Sequence, residues 1–346
     1  KKVCAVTKVV VIGDPFVSAA NLANAAKGLL LEEPVIIQSF EWQSEKTRSE
    51  FREVIKILEH DGPNGFEWSA EILAEVAEAE YLFVHLAPVS RKLLAQAKKL
   101  KMIGTCRGGL EHIDLEAVKE RPGLSVINVI RNAEPVADFT IGLMYATVRN
   151  IAASAIQVKQ GNWPQNFPND AYKTSFSNLK VGLVGLGHIG KIVAKRLTAL
   201  GLEVSAYDAF TDQASLDQEG YQIKLKSLKE IFSDSDLVSL HLRVVPETQN
   251  LINHSLLRLM KPSAYLINTA RPDIINRADL LDCLTKNQIA GAGIDVLWEE
   301  PIASDEPLLA LDNVVITSHI AGDTIDAIDR SPQLLQVEMN RILGKA

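Results

Sequence analysis

Three glycines near the middle of the chain have the spacing of a nucleotide-binding turn. Gly185, Gly187 and Gly190 form a G-x-G-x-x-G pattern, with a strand-like run before it and a helical run after it. In such a turn the first glycine permits the tight bend, the second lets the backbone approach a pyrophosphate, and the third lets helix and strand pack closely. The alternative is a glycine-rich turn in an unrelated α/β protein, and the flanking elements favour the nucleotide site.

An acidic residue follows this motif at the distance that a dinucleotide requires. The predicted strand Glu203–Tyr207 ends immediately before Asp208, whose carboxylate is expected to accept hydrogen bonds from an adenosine ribose. Ala209 and Phe210 come next, so no Arg or Lys follows directly to hold a 2′-phosphate. Because a carboxylate repels that phosphate, the sequence predicts NAD rather than NADP.

Three further segments place ionisable groups beyond the carboxyl ends of predicted strands. They contain Arg271, the acidic pair Glu299-Glu300, and His319. Ligands bind at that edge of an open α/β sheet. A cation, a carboxylate and an imidazole are therefore expected to converge over one nicotinamide. The ordinary alternatives are a turn-capping arginine, a solvated acidic pair and a loop histidine.

The elements that must position these groups alternate between short apolar runs and amphipathic stretches of helical length. This pattern is typical of parallel sheets covered by helices on both faces. The first series of predicted strands is Lys8–Ile12, Pro34–Ile37, Tyr81–Val84 and Met102–Thr105. The second series is Ser125–Val129, Lys180–Val184, Glu203–Tyr207, Asp236–His241, Ala264–Asn268, Ile289–Ile294 and Val314–Thr317. The predicted helices are Ala19–Leu31, Glu67–Glu80, Arg91–Leu100, a long helix from Pro135 to Gln160, Lys191–Leu200 and Ala327–Leu343.

From about Leu94 to Thr324 the chain resembles the D-isomer-specific 2-hydroxyacid dehydrogenases, and most closely their phosphoglycerate dehydrogenase-like branch. The resemblance is carried by the glycine motif, the three strand-end segments, and the stretches Gly108–Asp114, Ala133–Asp138 and Gly161–Trp163. It implies that Arg271 orients the substrate, that His319 is the acid/base, and that Glu300 is its carboxylate partner. It also implies cofactor contacts at His188, Ile189, Leu242, Thr269, Ala270, Asp295 and Gly322, besides the three glycines and Asp208.

Chemistry agrees with these implied roles. An imidazole titrates near neutral pH, so His319 can supply the proton that a developing alkoxide needs. A carboxylate at Glu300 would fix its tautomer and stabilise the imidazolium. Arg271 offers a planar fork to the carboxylate or carbonyl oxygen of a substrate.

The substrate contacts are expected in the first part of the chain. The backbone amides of Gly108 and Gly109 are predicted to hold a carboxylate oxygen. Arg107 is the nearby cation, unless it points outward or takes a phosphate. His85 follows the strand Tyr81–Val84, with packing and substrate contact both open. In phosphoglycerate-oxidising relatives this stretch offers an Arg and a hydroxyl, so a small unphosphorylated 2-keto acid is expected here.

Two residues depart from the family pattern. Pro272 follows Arg271 where the family usually has Gly, and Arg243 stands where the family commonly has Pro. Because Pro fixes φ and removes an N–H, the backbone turn after Arg271 must differ. Neither change removes a predicted catalytic group.

Composition excludes several other classes of protein. The net charge of −7 speaks against a nucleic-acid surface, which needs a basic face. No run approaches the ~18 apolar residues of a membrane span. Cys4, Cys106 and Cys283 lie far apart, without metal-ligand spacing. No metal site is therefore expected, and sparse cysteines favour a reducing cytoplasm.

Together these arguments predict an α/β protein with two Rossmann- or flavodoxin-like lobes. A nucleotide lobe of residues 129–318 is predicted to be inserted into a discontinuous substrate lobe of residues 1–128 and 319–346. The expected function is an NAD-dependent D-2-hydroxyacid dehydrogenase, a homodimer, acting on an acid such as glyoxylate, hydroxypyruvate or pyruvate. The alternatives are a D-3-phosphoglycerate dehydrogenase without a regulatory domain, and an NADH-sensing interaction protein similar to transcriptional corepressors.

Overall fold

The computed structural model describes residues 6–345, and the chain divides into two compact units. Unit 1 comprises the residues up to Arg131 and those from Thr324 onward, whereas unit 2 runs continuously from Asn132 to Asp323. Both divisions fall shortly after the predicted domain boundaries. His319 and Gly322 therefore belong to unit 2. Cys4, one of the three cysteines considered above, lies outside the described residues.

The first segment of unit 1 forms a parallel sheet of five strands in the order β2-β1-β3-β4-β5. Its strands are β1 (Thr7–Gly13), β2 (Val35–Glu41), β3 (Tyr81–Val84), β4 (Met102–Thr105) and β5 (Ser125–Asn128). Its helices are α1 (Ala19–Ala26), α2 (Arg48–Asp61), α3 (Ala70–Ala77), α4 (Arg91–Gln96) and α5 (Leu115–Lys119). Val9 to Ile12 of β1 are fully buried, because apolar layers cover both faces of the sheet.

Unit 2 forms a parallel sheet of seven strands in the order β12-β11-β10-β9-β6-β7-β8. Its strands are β6 (Lys180–Val184), β7 (Glu203–Tyr207), β8 (Lys224–Leu225), β9 (Leu237–Leu240), β10 (Tyr265–Asn268), β11 (Gly291–Ile294) and β12 (Val314–Ile316). Its helices are α6 (Ala133–Val148), α7 (Ile151–Lys159), α8 (His188–Ala199), α9 (Gln213–Gln218), α10 (Leu228–Asp234), α11 (His254–Leu257) and α12 (Arg277–Thr285). Two apolar clusters cover its two faces.

The last segment returns to unit 1 as α13 (Ile325–Asp329) and α14 (Ser331–Ile342). Short 3-10 turns lie at Pro63–Gly65, Asp170–Tyr172, Phe176–Asn178, Pro272–Ile274 and Pro307–Ala310. Leu335 and Met339 of α14 are fully buried in the unit 1 core. Within residues 6–345 no helix is long and apolar enough to cross a membrane. The same part of the chain holds no group of three His, Cys, Asp or Glu residues placed to bind a metal ion.

The prediction of two open α/β sheets is confirmed, but several helices differ from prediction. The long helix expected from Pro135 to Gln160 is broken into α6 and α7, because Asn150 adopts the left-handed conformation with φ 54°. The expected tail helix is likewise two helices, since Pro332 lies in the first turn of α14 and cannot continue a preceding helix. Helix α2 was not predicted.

Three other predicted helices are shorter in the structure. Helix α1 ends at Ala26, just before Gly28, and α4 ends at Gln96, where Ala97 leaves the helical region with ψ 54°. Helix α3 begins only at Ala70, because the Ser69 hydroxyl caps it by accepting from the N–H of Ile72.

Candidate active site

The glycine motif lies at the point where the strand order of unit 2 reverses. Strands β7 and β8 lie on one side of β6, and β9 to β12 lie on the other. Gly185 follows β6 with φ 103°, and a Cβ there would lie 2.7 Å from the carbonyl oxygen of His241. A Cβ at Gly190 would lie 2.1 Å from the carbonyl oxygen of Gly185. Both positions therefore require glycine, and a reversal of this kind is where open α/β sheets bind ligands.

The N-terminus of α8 is open toward this point. Gly187 is its N-cap residue, and a Cβ built there would meet no heavy atom within 4 Å. No side chain caps the helix, so the N–H groups of its first turn, which begins at His188, are available to an anion. Ile189 packs against the apolar core of the unit, and Leu242 lies beside Gly185.

The Asp208 carboxylate is held by backbone donors. It accepts hydrogen bonds from the N–H of Leu186 at 2.7 Å and from the N–H of Phe210 at 2.9 Å. Burial acts to raise the pKa of Asp208, but these donors and Thr211 outweigh it and lower the pKa below its ordinary value. This site fits NAD, because it combines an ionised carboxylate, the three glycines of the motif and an uncapped helix N-terminus.

Asn268 shapes the turn that carries Arg271. Its side chain accepts from the N–H of Ala270 at 3.0 Å and donates to the carbonyl oxygen of Arg271 at 2.9 Å. The guanidinium of Arg271 is exposed, and one of its nitrogens donates to the carbonyl oxygen of Ala270 at 2.7 Å. Pro272 is the first residue of a 3-10 turn, a position that uses no N–H donor. The turn therefore accommodates Pro272, which stands where the family usually has Gly.

Thr269 lies in the same turn and is buried. Its hydroxyl is 2.7 Å from the hydroxyl of Thr140 on α6, which in turn donates to the carbonyl oxygen of Val136. Thr140 was not singled out from the sequence. The contact ties the strand end that carries Arg271 to α6.

His319 and Glu300 are joined by a hydrogen bond. The Nδ1 atom of His319 is 2.8 Å from Oε2 of Glu300, and the two side chains are 45% and 39% exposed. The other oxygen of Glu300 accepts from the N–H of Leu297 at 2.9 Å. Burial acts to raise the pKa of Glu300, but the Leu297 N–H, the hydrogen bond and charge of His319, and the charge of Arg271 lower it below its ordinary value. The ionised carboxylate orients the imidazole and leaves Nε2 for a substrate.

Asp295 holds the loop that carries His319. Its buried carboxylate accepts from the hydroxyl of Thr317 at 2.6 Å and from the N–H groups of Ile320 at 3.1 Å and Ala321 at 2.9 Å. His319 itself has φ 56°, a conformation that few residues other than glycine adopt. Asp295 was predicted as a cofactor contact, and the structure additionally gives it this positioning role. Nearby, a Cβ at Gly322 would lie 3.1 Å from the side-chain nitrogen of Asn132.

In unit 1, Arg107 is engaged by two carboxylates. Its guanidinium is 2.9 Å from Oε1 of Glu59 and 3.3 Å from Oε2 of Glu111. The carbonyl oxygen of Gly108 accepts from the side chain of Asn128 at 2.8 Å. A Cβ at Gly109 would lie 2.3 Å from Oε2 of Glu111, whereas a Cβ at Gly108 would meet only Ile130, at 3.8 Å.

His85 is completely buried and has two polar partners that the sequence did not reveal. Its Nδ1 is 2.9 Å from Oδ2 of Asp14, and its Nε2 is hydrogen-bonded to the guanidinium of Arg131. Asp14 directly follows β1, a position that could have drawn attention to it. Nothing in the local sequence of Arg131 signals this contact.

Comparison with known proteins adds independent findings. Residues 141–321 match the family model described as D-isomer specific 2-hydroxyacid dehydrogenase, NAD binding domain. A glyoxylate reductase of Thermofilum pendens is 34% identical over 295 residues, which cover 83% of this chain and 85% of the relative. A D-3-phosphoglycerate dehydrogenase of Mycobacterium tuberculosis is 35% identical over 278 residues, which cover 78% of this chain and 50% of the relative. The chain thus spans about half the length of the phosphoglycerate dehydrogenases that head its matches.

A solved structure agrees with the fold. The D-isomer specific 2-hydroxyacid dehydrogenase of Lactobacillus delbrueckii ssp. bulgaricus, in its NAD-complexed form, has a TM-score of 0.71 and 23% identity. The alignment covers 98% of this chain and 98% of that one. At this level of identity the likeness concerns the fold alone.

Proposed function

The chain belongs to the D-isomer-specific 2-hydroxyacid dehydrogenase family, and on that basis we propose that it is an oxidoreductase interconverting a 2-keto acid and a D-2-hydroxy acid. Its residues 141–321 are the NAD-binding domain of that family, so NAD is the cofactor. The observation that carries the proposal is the His319–Glu300 pair, 2.8 Å apart in the same unit as the glycine motif.

In this proposal the side chains of unit 2 divide the work of the reaction. NADH, when bound, supplies a hydride to the carbonyl carbon of the keto acid. His319 gives the proton on Nε2 to the oxygen that becomes the alkoxide, while Glu300 holds Nδ1 and stabilises the imidazolium. Arg271 orients the substrate through its carboxylate or its carbonyl oxygen. The reverse reaction uses the same groups in the opposite protonation states.

The substrate that we propose is small and unphosphorylated, such as glyoxylate, hydroxypyruvate or pyruvate. Arg107, the cation considered for a phosphate, already faces two carboxylates, Glu59 and Glu111. A dianionic phosphate there would meet a net negative surrounding. Similarity to a glyoxylate reductase over 85% of its length supports the same choice. D-3-phosphoglycerate, the substrate named for other relatives, is the alternative.

A panel of 2-keto acids with NADH tests both the proposed reaction and the proposed substrate. We expect turnover of glyoxylate or hydroxypyruvate, with kcat/KM for hydroxypyruvate exceeding that for phosphohydroxypyruvate. A preference for the phosphorylated compound would contradict this choice and indicate 3-phosphoglycerate as the substrate. Absence of turnover with every acid, in protein that binds NADH, would favour the NADH-sensing interaction protein instead.

We also propose that the protein is a homodimer in the cytoplasm. Helix α7 has no buried residue in the single chain, and its Ile151 and Ile156 are 54% and 56% exposed. Trp163, shortly after this helix, is 79% exposed. Exposed apolar side chains grouped in this way favour burial against a second copy. Cys106 and Cys283 are free thiols, as a reducing compartment allows. Sedimentation of the parent and of Ile156→Lys tests the dimer, which the substitution should weaken.

A further inference from the structure

Arg131 reaches a place in unit 1 where a ligand is expected. The unit 1 sheet has the order β2-β1-β3-β4-β5, so its strand order reverses between β1 and β3. Ligands of open α/β sheets bind outside the carboxyl ends of the strands at such a reversal. Asp14 directly follows β1 and His85 directly follows β3. Arg131 comes from beyond β5 and places its guanidinium on His85.

Asp14 and His85 form a fixed support under that guanidinium. Oδ1 of Asp14 accepts from the N–H groups of Phe16 and Val17, and Oδ2 accepts from the N–H of Leu86 and from Nδ1 of His85. Burial acts to raise the pKa of Asp14, but its interaction with His85 and the backbone donors lower it. The carboxylate is therefore ionised and fully engaged.

The imidazole of His85 is neutral and has one defined tautomer. Burial lowers its pKa, the charge of Asp14 opposes that effect, and the charges of Arg131 and Arg107 add to it. Nδ1 carries the proton because it faces the Asp14 carboxylate. The lone pair on Nε2 is thus available to accept from Arg131.

Arg131 consequently keeps its charge available to a further anion. A guanidinium has five N–H donors, and the single hydrogen bond to His85 uses one of them. Within the described residues no carboxylate lies within ion-pair distance of Arg131, whereas Arg107 has two. A half-buried cation supported by a neutral acceptor is costly unless an anion joins it.

The surroundings of Arg131 match a carboxylate in charge and in hydrogen-bond donors. A Cβ at Gly108 would lie 3.8 Å from Ile130, so the predicted carboxylate loop packs beside the residue that precedes Arg131. Asn128 anchors the same loop through the Gly108 carbonyl oxygen. One planar guanidinium and nearby backbone amides suit a planar monoanion.

We propose that Arg131, held by Asp14 and His85, binds the carboxylate of the substrate and is the specificity-determining cation of unit 1. The sequence offered Arg107 as the nearby cation, with other roles for it left open. The role of Arg131 rests on the dehydrogenase activity proposed above. Asp14 and His85 are positioning residues that act through Arg131.

Steady-state kinetics of Arg131→Gln test the proposal. With glyoxylate as the substrate, we expect KM to rise by ~30-fold or more, because a charged hydrogen bond is lost. Binding of oxalate to the NADH complex should weaken by a similar factor, and NADH affinity should stay within ~2-fold. Arg52→Gln, a matched change on the exposed face of α2, should alter none of these values. Arg131→Lys should recover part of the oxalate affinity.

The outcomes separate this proposal from the one it rests on. If the parent enzyme reduces no 2-keto acid, the proposed function fails first. If the parent is active but Arg131→Gln leaves KM and oxalate binding unchanged, Arg131 does not bind the carboxylate. A rise of KM in Arg107→Gln alone would return the role to Arg107. Should Arg131→Gln fail to fold, Arg131→Lys and His85→Gln are the variants to measure, and unchanged oxalate binding in both would overturn the proposal.

Discussion

At the scale of single residues, His319 is the group on which the proposed chemistry depends. Its Nδ1 is held by Glu300, so only Nε2 is left to exchange a proton with a substrate. We expect His319→Ala to lower kcat by ~10²–10⁴-fold, the usual contribution of a general acid. The dissociation constant for NADH, measured by fluorescence titration, should change little. Near-normal kcat in this variant would remove His319 from the mechanism.

Asp208 is expected to select the cofactor. Its ionised carboxylate would accept from the ribose hydroxyls of NADH and repel the 2′-phosphate of NADPH. Asp208→Ala should weaken NADH binding by ~10- to 100-fold, as loss of a charged hydrogen bond does. The difference in affinity between NADH and NADPH should become smaller. Titration of both cofactors against the parent and the variant measures this. A parent that prefers NADPH would contradict the assignment.

Some residues of unit 1 show what local sequence cannot reveal. Asp14, His85 and Arg131 are far apart along the chain and meet only because β1 and β3 are neighbours and the segment after β5 crosses toward them. Periodicity predicts strands, but it does not predict their order. His85 and Asp14 could therefore be noticed at the ends of their strands, but their contact with each other and with Arg131 could not.

At the scale of elements, Asp295 holds the loop after β12 and thereby positions the imidazole of His319. Asp295→Asn replaces one acceptor oxygen with a donor, so Thr317, Ile320 or Ala321 loses its partner. We expect kcat to fall by ~10-fold or more, because an unsatisfied buried group costs ~1–3 kcal/mol. Steady-state kinetics of the variant and of the parent give the kcat and KM values to compare. A loss confined to NADH affinity would instead favour the cofactor contact predicted from the sequence.

Strands were predicted more accurately than helices, for physical reasons. Buried parallel strands are short apolar runs, and β3, β4, β6 and β7 have the predicted bounds. Helix ends depend on single residues whose effect is conformational rather than periodic, such as left-handed Asn150 between α6 and α7. The amphipathic helix α2 was missed altogether, although Thr47 and Glu50 form a capping box at its start.

At the scale of the whole molecule, buried imidazoles make stability depend on pH. His85 and His112 are completely buried, and burial is the main cause that lowers the pKa of each, well below its ordinary value for His112. The unfolded chain binds protons at both positions below about pH 6.5, whereas the folded chain binds them only at lower pH. The two imidazoles should therefore not reduce the free energy of unfolding above that pH. Below it, this free energy should fall as the pH is lowered, by at most ~1.4 kcal/mol per pH unit for each group.

Urea denaturation at pH 7.5 and pH 5.5 measures this dependence. His112→Asn removes one of the two buried imidazoles, so its loss of stability between the two pH values should be smaller than that of the parent. His60→Asn serves as the control, because the His60 side chain is 87% exposed. Equal pH dependence in parent and His112→Asn would mean that His112 can be protonated within the fold.

The division of the chain also determines the order in which its parts can fold during synthesis. A ribosome completes residues 132–323, all of unit 2, before it makes any of α13 and α14. Unit 1 then still lacks Leu335 and Met339, whose side chains cover Gly104 of β4, where a Cβ would lie 2.7 Å from the Met339 sulfur. One face of the unit 1 sheet is therefore covered only by α1, without α14, until α14 has been made. Synthesis of unit 1 thus begins before that of unit 2, and its fold can be completed only afterwards.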